Sequence, residues 1–587
     1  MREFLASGAA LGVSAGLLLT APANAEVVDI HNAGAVRIDG TSTLSSLGSV
    51  MDSAGDFDGD GYDDLILGTH NLTPAGAAHI VFGGPNLQSG TLGSGRTIHI
   101  TGNGGQFGVS VTGVGDVDKD GLDDVLIGAN TDSSNGPWSG SAYLVLGDGT
   151  PSDIDVAQPP AGWFKFTGVG GDSVGDAVDG VGDVNQDGYP DMVIGAAGGS
   201  GLRGVTYVVF GGKALTDLSL SSMTAEQGAT LTGEDAMDFA SKCVGIGDVN
   251  HDGVPDIGVG ASNAQRNGVP SGSAYVVYGK PGFSSLSLGA LTTAQGFQID
   301  GPESSLTGAS LAGLGDMNAD GIGDFAVGSP GGGVSGQFVT IMFGRATSGN
   351  VDLGSLGDRG LTFNGTNTTS AVGRALAGVG DIDADGHRDA LIGAPGISLT
   401  QDLAAIVRGG PSLHGGPLAT WTDGFFAPSG YGFGQAVAGL GDMNADGGVD
   451  FAVGAPQALS QAGSVFIMYG KVPPKPPVEP TPPPVEPTPP PVDPTPQPAA
   501  TLVVKGRPAK RTIPRTGWVV LVRKVVVGAG QQAKITVKAP KRVKVVKTAT
   551  KVTVRTKRAP KGKVRVRIVA TGSAVTPTVW TRTWKMR

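Results

Sequence analysis

The chain has 587 residues, of which 100 are glycine and 38 proline, and only 6% are aromatic. That length exceeds one ordinary domain, and the composition favours many short strands and turns over long helices. A single cysteine, Cys243, excludes a disulfide framework.

The formal charge of −11 conceals two opposed halves. Residues 1–470 hold 49 of the 52 acidic and 15 of the 41 basic residues, whereas residues 501–587 hold 24 bases and no acid. Such asymmetry points to a different partner for each half.

Residues 1–25 read as a secretory signal, with a small-residue apolar core from Ala9 to Thr20 and an Ala23-Asn-Ala25 cleavage site. No later stretch is long enough and apolar enough to span a bilayer as a helix. The expectation is an exported, soluble chain.

The first acidic stretch runs Asp56-Phe-Asp58-Gly-Asp60-Gly61-Tyr62-Asp63-Asp64, with oxygen-bearing side chains at positions 1, 3, 5 and 9 and glycine at 6. Alternate spacing over a tight turn aims the first three side chains into one hollow, and glycine supplies the positive φ of the reversal. Hard oxygen donors at this spacing suit Ca²⁺, which accepts six to eight of them. The stretch recurs from Asp116, Asp183, Asp248, Asp316, Asp381 and Asp442, at intervals of 60 to 68 residues. The expected side-chain donors are Asp56, Asp58, Asp60 and Asp64 in loop one, and Asp116, Asp118, Asp120 and Asp124 in loop two. Loop three offers Asp183, Asn185, Asp187 and Asp191; loop four offers Asp248, Asn250, Asp252 and Asp256. Asp316, Asn318, Asp320 and Asp324 follow in loop five, then Asp381, Asp383, Asp385 and Asp389 in loop six. Loop seven supplies Asp442, Asn444, Asp446 and Asp450. The backbone carbonyl at position 7 (Tyr62, Leu122, Tyr189, Val254, Ile322, His387, Gly448) is the fifth donor. Up to seven Ca²⁺ ions are expected, bound more weakly where asparagine replaces aspartate at position 3. Position 12, where an EF-hand needs a bidentate acid, is Leu67, Ile127, Ile194, Val259, Val327, Ile392 or Val453, so that reading fails.

Each period carries the same parts in order. A glycine-ended strand (Thr97 to Gly102) precedes a small-residue strand (from Phe107-Gly108), the acidic loop, an apolar strand ending Gly-Ala-Pro or a variant (Gly393 to Pro395), and last an edge-like strand (Gly463 to Gly470). Four strands in about 60 residues is one propeller blade, and seven such units fit a closed ring. The first repeat opens on its glycine-ended strand alone, and the seventh stops after its third. Residues 36–40 are therefore expected to close the last blade beside Ser464–Tyr469. The expected fold is all-β: a seven-bladed propeller over 26–470, a polyproline II linker over 471–500, and a small basic β-sheet domain over 501–587.

This Phe-Gly, DxDxDGxxD, Gly-Ala-Pro pattern resembles the FG-GAP repeats of the integrin α-chain head, a seven-bladed propeller. Similar repeats occur in bacterial secreted proteins and in glycosylphosphatidylinositol-specific phospholipase D. The resemblance implies a ligand face opposite the metal loops, built here from Asn130–Gly140 with Trp138, Ala261–Gly272, and Phe425–Tyr431. Trp138, Phe425, Phe426 and Tyr431 are the candidate ligand-binding residues, for an extracellular protein or glycan.

Between Pro473 and Pro498, 15 of 26 residues are proline, a spacer of roughly 80 Å at about 3.1 Å per residue. Residues 501–587 alternate apolar and basic (Arg542 to Lys547, Lys551 to Thr556, Lys563 to Val569), the period of an antiparallel sheet. Its charge suits an anionic cell-envelope polymer, and no stacking motif favours specific nucleic-acid binding. Trp518, Trp580 and Trp584 are assigned to its core, and the whole is expected to be a monomer at the cell surface.

Enzymatic signals are thin. No histidine pattern, Gly-x-Ser-x-Gly elbow or phosphate loop occurs, and His70 and His79 read as surface residues. Glu234, Asp235, Asp238 and Glu303 sit outside the loops as candidates for a carboxylate pair, and a secreted hydrolase of saccharides or phosphoesters on this scaffold is the alternative to a binding module. Cys243 stands at an apolar repeat position and is expected to be a buried small hydrophobe.

Overall fold

The computed structural model describes residues 27–29, residues 34–471 apart from 43–44, 71–74, 267–269, 332–335, 366–370, 398–400 and 419–422, and eight strands between 502 and 586. The expected leader and the proline-rich stretch 473–498 lie outside the described residues. The chain divides into two compact units between Lys475 and Pro476.

The first unit is a seven-bladed β-propeller. Its first blade is an antiparallel meander of Val50–Gly55, Asp64–Gly68, Ala77–Val81 and Thr97–Thr101, counted from the axis outward. Adjacent blades cover both faces of the second and third strands. Asp64–Gly68 and Ser141–Val145 are accordingly buried at every position, which is why they read as unbroken apolar runs. Fourth strands lie at the rim and alternate: Thr97–Thr101 buries only Ile98 and Ile100.

Six blades gain a short parallel fifth strand from the next blade's third-to-fourth connection, as Ile154–Asp155 does beside Thr97–Thr101. The ring closes on the seventh blade, where Val36–Asp39 pairs antiparallel with Ser464–Met468, Val36 opposite Ile467 and Asp39 opposite Ser464. Val27–Asp29 is the fifth strand of the sixth blade, parallel to Asp423–Pro428. The N-terminal segment thus supplies the outer part of the blade that the chain's later residues begin.

The repeated glycines mark where blades touch. A Cβ on Gly68, Gly128, Gly195, Gly260, Gly328, Gly393 or Gly454 would collide with a carbonyl oxygen of the following blade, at Gly108, Gly175, Ser241, Gly308, Gly373, Gly434 or Gly48. Within a blade, the N–H of Gly108, Gly308 or Gly434 donates to the carbonyl of Gly128, Gly328 or Gly454, at 2.9, 3.1 and 3.0 Å. The Phe-Gly and Gly-Ala-Pro signatures are therefore the two sides of one close backbone contact, repeated around the ring.

The second unit holds two four-stranded sheets. One contains Leu502–Gly506, Gly517–Val527, Val552–Thr556 and Val543–Lys547; the other contains Thr512–Ile513, Thr578–Met586, Lys563–Thr571 and Gln532–Lys538. In the latter, Val564 stands opposite Trp584, Ile568 opposite Trp580 and Lys563 opposite Lys585. The register keeps the period-two pattern of apolar and basic residues in step across strands.

Because Gly454 and Gly48 meet at the ring closure, Gly454→Ala is expected to destabilise the propeller by about 2–3 kcal/mol through overpacking. Thermal unfolding of the variant checks this, and an unchanged Tm would show that the contact is slack.

Candidate functional site

All seven acidic stretches form the hairpin between the first and second strands of a blade. Glycine at position 6 is left-handed in each, from φ 86° at Gly253 to 105° at Gly121. Position 4 is left-handed too, and there it falls on Lys119, Gln186, His251, Ala319, Ala384 and Ala445 as well as Gly59. Two reversals in three residues turn the side chains at 1, 3 and 5 inward. The loop is then held by its own carboxylates. In loop two, Asp116 accepts from the N–H of Asp120 and Gly121 (3.0 and 3.1 Å), and Asp120 accepts from Leu122 (3.0 Å).

The ninth residue is the most buried. Asp64, Asp124, Asp191, Asp256, Asp324, Asp389 and Asp450 are all inaccessible to solvent. One oxygen of each accepts the N–H of position 2, as Val117 donates to Asp124 at 2.8 Å. The other accepts a glycine N–H at the end of the blade's own third strand, as Gly147 donates to Asp124 at 2.8 Å. Burial pushes these carboxyls up, Asp64 to about 8 and Asp124 to about 7, beyond what the two donors lower. The position-2 carbonyl completes the arrangement by accepting from the next blade: Asp148 N–H to Phe57 O at 3.1 Å, and Gly84 N–H to Met443 O at 2.7 Å across the closure. The ninth aspartate is thus a structural peg, a task beyond the donor role expected of it from the sequence.

The donor set fits a hard cation. Oxygens of Asp56, Asp58 and Asp60 lie within 4.8 Å of one another, as do those of Asp116, Asp118 and Asp124, and of Asp381, Asp383 and Asp385. In each of these clusters one buried oxygen lacks a hydrogen-bond partner: Oδ1 of Asp56, of Asp118 and of Asp383. Loops with asparagine at position 3 satisfy themselves instead, the Oδ1 of Asn185, Asn250, Asn318 and Asn444 accepting from position 5 at 2.7–2.9 Å. Residues the spacing did not single out also act here. Position 8 of one blade caps position 1 of the preceding one: Asp123 accepts from Asp56 N–H at 3.0 Å, and Asp63 from Asp442 N–H at 2.6 Å.

A model of the FG-GAP repeat matches residues 52–81. Integrin alpha pat-2 of Caenorhabditis elegans is 28% identical over 246 residues, 39% of this chain and 18% of that protein. Integrin alpha-IIb of Mus musculus is 35% identical over 173 residues, 29% of this chain and 16% of the relative. Integrin alpha-5 of Xenopus laevis is 27% identical over 254 residues, 42% and 22% of the two chains. The chain carries an integrin-α-like FG-GAP propeller. It spans less than a quarter of the length of these curated relatives.

On the opposite face of this integrin-α-like ring, large apolar side chains stand in solvent. Trp138 is 62% exposed, Met237 52%, Leu202 41% and Val169 40%. Backbone bonds join their loops: Ser173 N–H to Trp138 O (2.9 Å), Gly198 N–H to Asp172 O (2.9 Å), and Met237 N–H to Leu202 O (2.9 Å). Trp138, Leu202 and Met237 sit at φ 57°, 70° and 77°, a conformation costing of order 1 kcal/mol or more for a side chain of this size. Tyr431 also lines this face, beside Leu459, in a separate cavity of about 530 Å³ walled by Arg37, Gln457 and Phe466. Phe425 and Phe426 do not. They lie in Asp423–Pro428 and pack into blade cores, Phe425 5.9 Å from the Phe451 ring.

Of the acids outside the loops, Glu234, Asp235 and Asp238 all pair with Arg266, at 2.5, 3.2 and 3.5 Å. They form one ion-pair network rather than a free carboxylate pair. His79 is buried in the third strand of blade one, its Nδ1 3.0 Å from that of His99, not at the surface. Cys243 is buried, and desolvation pushes its thiol well above the usual range. In the axial channel, Thr112 Oγ1 lies 2.8 Å from Asp52 and 3.0 Å from Asp179. One hydroxyl proton cannot serve both, and burial raises Asp52 to about 6 and Asp179 to about 7.

Two outcomes are expected. Asp256→Ala orphans two buried N–H groups, at Val249 and Gly279, and should cost about 3 kcal/mol on unfolding even in the absence of calcium. Asp52 and Asp179 titrate higher folded than unfolded, so their stabilisation is complete near pH 4 and is lost as pH rises through about 6 to 7. At fixed saturating calcium, the wild type should therefore gain more Tm from pH 8 to pH 5 than Asp179→Asn does; equal gains would contradict the assignment.

Proposed function

We propose that the chain is an exported, calcium-stabilised adhesion module that grips an extracellular protein through the face opposite its metal loops. The observation that carries this is the Trp138, Val169, Leu202 and Met237 patch. Three of its four side chains occupy left-handed backbone while exposed, so neither burial nor local conformation accounts for them. Large apolar side chains held exposed on neighbouring, hydrogen-bonded loops of a rigid scaffold are a recognition feature. The acidic hairpins hold up to seven Ca²⁺ ions through positions 1, 3, 5, 7 and 9, and the ions fix the hairpins between blades. The relatives are named integrin alpha chains, which supports a cell-surface adhesion reading. The basic C-terminal unit retains the propeller at an anionic envelope polymer. A hydrolytic role is disfavoured because Arg266 engages the free-standing acids Glu234, Asp235 and Asp238.

The test is an array of extracellular proteins, glycans and anionic wall polymers probed with the full chain. Trp138→Ala with Met237→Ser should weaken protein capture at least about tenfold, with unchanged Tm and unchanged wall-polymer retention. Capture that survives the double change, or turnover of a saccharide or phosphoester substrate, would overturn the reading.

A further inference from the structure

Three loops carry aspartate at position 3, and an arginine meets two of them. In loop one, Arg96 pairs with Asp58 and, at 2.5 Å, with Asp60, its guanidinium stacked 4.7 Å over the Phe82 ring. In loop six, Arg408 pairs with Asp383. The two arginines reach their loops from different strands. Arg96 precedes the fourth strand of blade one, whereas Arg408 follows the third strand of blade six, in the place held by Phe82 and Phe210 in blades one and three. Loop two differs: Lys213 donates to the main-chain carbonyls of Asp118 and Lys119, at 2.8 and 3.1 Å, and lies near the Asp118 carboxylate without a hydrogen bond or ion pair to it. Among the described residues, no arginine or lysine pairs with the aspartates of loops three, four, five and seven.

A guanidinium paired with these carboxylates, two in the case of Arg96 and one in that of Arg408, occupies the charge position that a divalent ion would take and competes with it for the same oxygens. Resting on the reading of the loops as calcium sites, we propose that Arg96 and Arg408 are built-in counter-ions. Calcium must displace them, so loops one and six load last although each carries four carboxylates. Loop two, with the same carboxylates and no arginine, loads first. Ligand charge alone would rank loops one, two and six together; the arginines divide them. Part of the ring is thereby held without metal, and its last two ions become sensitive to ambient calcium.

Tyrosines at position 7 make the test site-specific. Tyr62 belongs to loop one and Tyr189 to loop three, and each can sensitise Tb³⁺ luminescence in its own loop. Tyr278 and Tyr469 stand beside the aspartates of loops four and seven, and the Tyr189 ring lies 5.9 Å from Lys119 of loop two, so Tyr278→Phe, Tyr469→Phe and Asp118→Ala are carried throughout. In that full-length background Tyr189→Phe leaves loop one as reporter and Tyr62→Phe leaves loop three. Loop one is expected to bind Tb³⁺ about tenfold more weakly than loop three, and Arg96→Gln to tighten loop one about tenfold while loop three stays unchanged. Equal or tighter binding at loop one in the chain with Arg96 intact would overturn the inference without touching the arginine, so a misfolded Arg96→Gln variant does not rescue it. Binding at loop one that is unmoved or weakened by Arg96→Gln would overturn it equally. Sensitised emission at neither loop would refute the calcium reading itself, and the inference with it.

Discussion

The ring depends on a buried carboxylate at the ninth position of each acidic hairpin. One oxygen holds the hairpin's second residue and the other holds the end of the third strand, so a single side chain ties three strands of a blade together. The same second residue then receives an N–H from the next blade. Blade and ring are therefore coupled through one peptide unit, repeated seven times and closed between Met443 and Gly84. Removing water from that carboxylate favours its uncharged form, and a neighbouring cation reverses the preference. On the proposed reading of the hairpins as calcium sites, metal binding and ring integrity would share this group.

Two consequences follow for the surfaces. Metal hairpins crowd one face with carboxylates, where Arg96, Arg408 and Lys213 locally compensate the charge. The other face is free of that demand and presents apolar side chains on short loops stitched by backbone hydrogen bonds. A face so constrained presents side chains with little entropy left to lose, which favours recognition over catalysis. The charge split between the two compact units supports the proposal of a separate partner, a polyanion, for the basic one.

Much of this was legible in the sequence because its signals were periodic. The acidic spacing, the glycine at position 6 and the apolar second and third strands gave the blades, and the order of parts in the first and seventh repeats gave the closure. Other features left no such trace. The left-handed residue at position 4 is lysine, glutamine, histidine or alanine, so side-chain type carries no hint of it. The fifth strands are two or three residues long, too short for any period. Phe425 and Phe426 looked like loop aromatics because the strand Asp423–Pro428 extends further toward Tyr431 than its neighbours suggested. The burial of His79 was readable from its place in the apolar third strand Ala77–Val81, by comparison with Tyr143 and Tyr275 in sister repeats. The second task of the ninth aspartate is a contact among strands of one blade, and the capping by Asp63 and Asp123 a contact between blades, and the spacing of the motif displays neither.

Hydrogen–deuterium exchange of the full chain, with calcium and after chelation, tests the coupling of metal to ring most directly. The account predicts that the position-2 amides and the glycine amides ending the third strands lose protection in several blades at once when calcium is removed. Protection that is unchanged by chelation, or lost only within isolated hairpins, would contradict it.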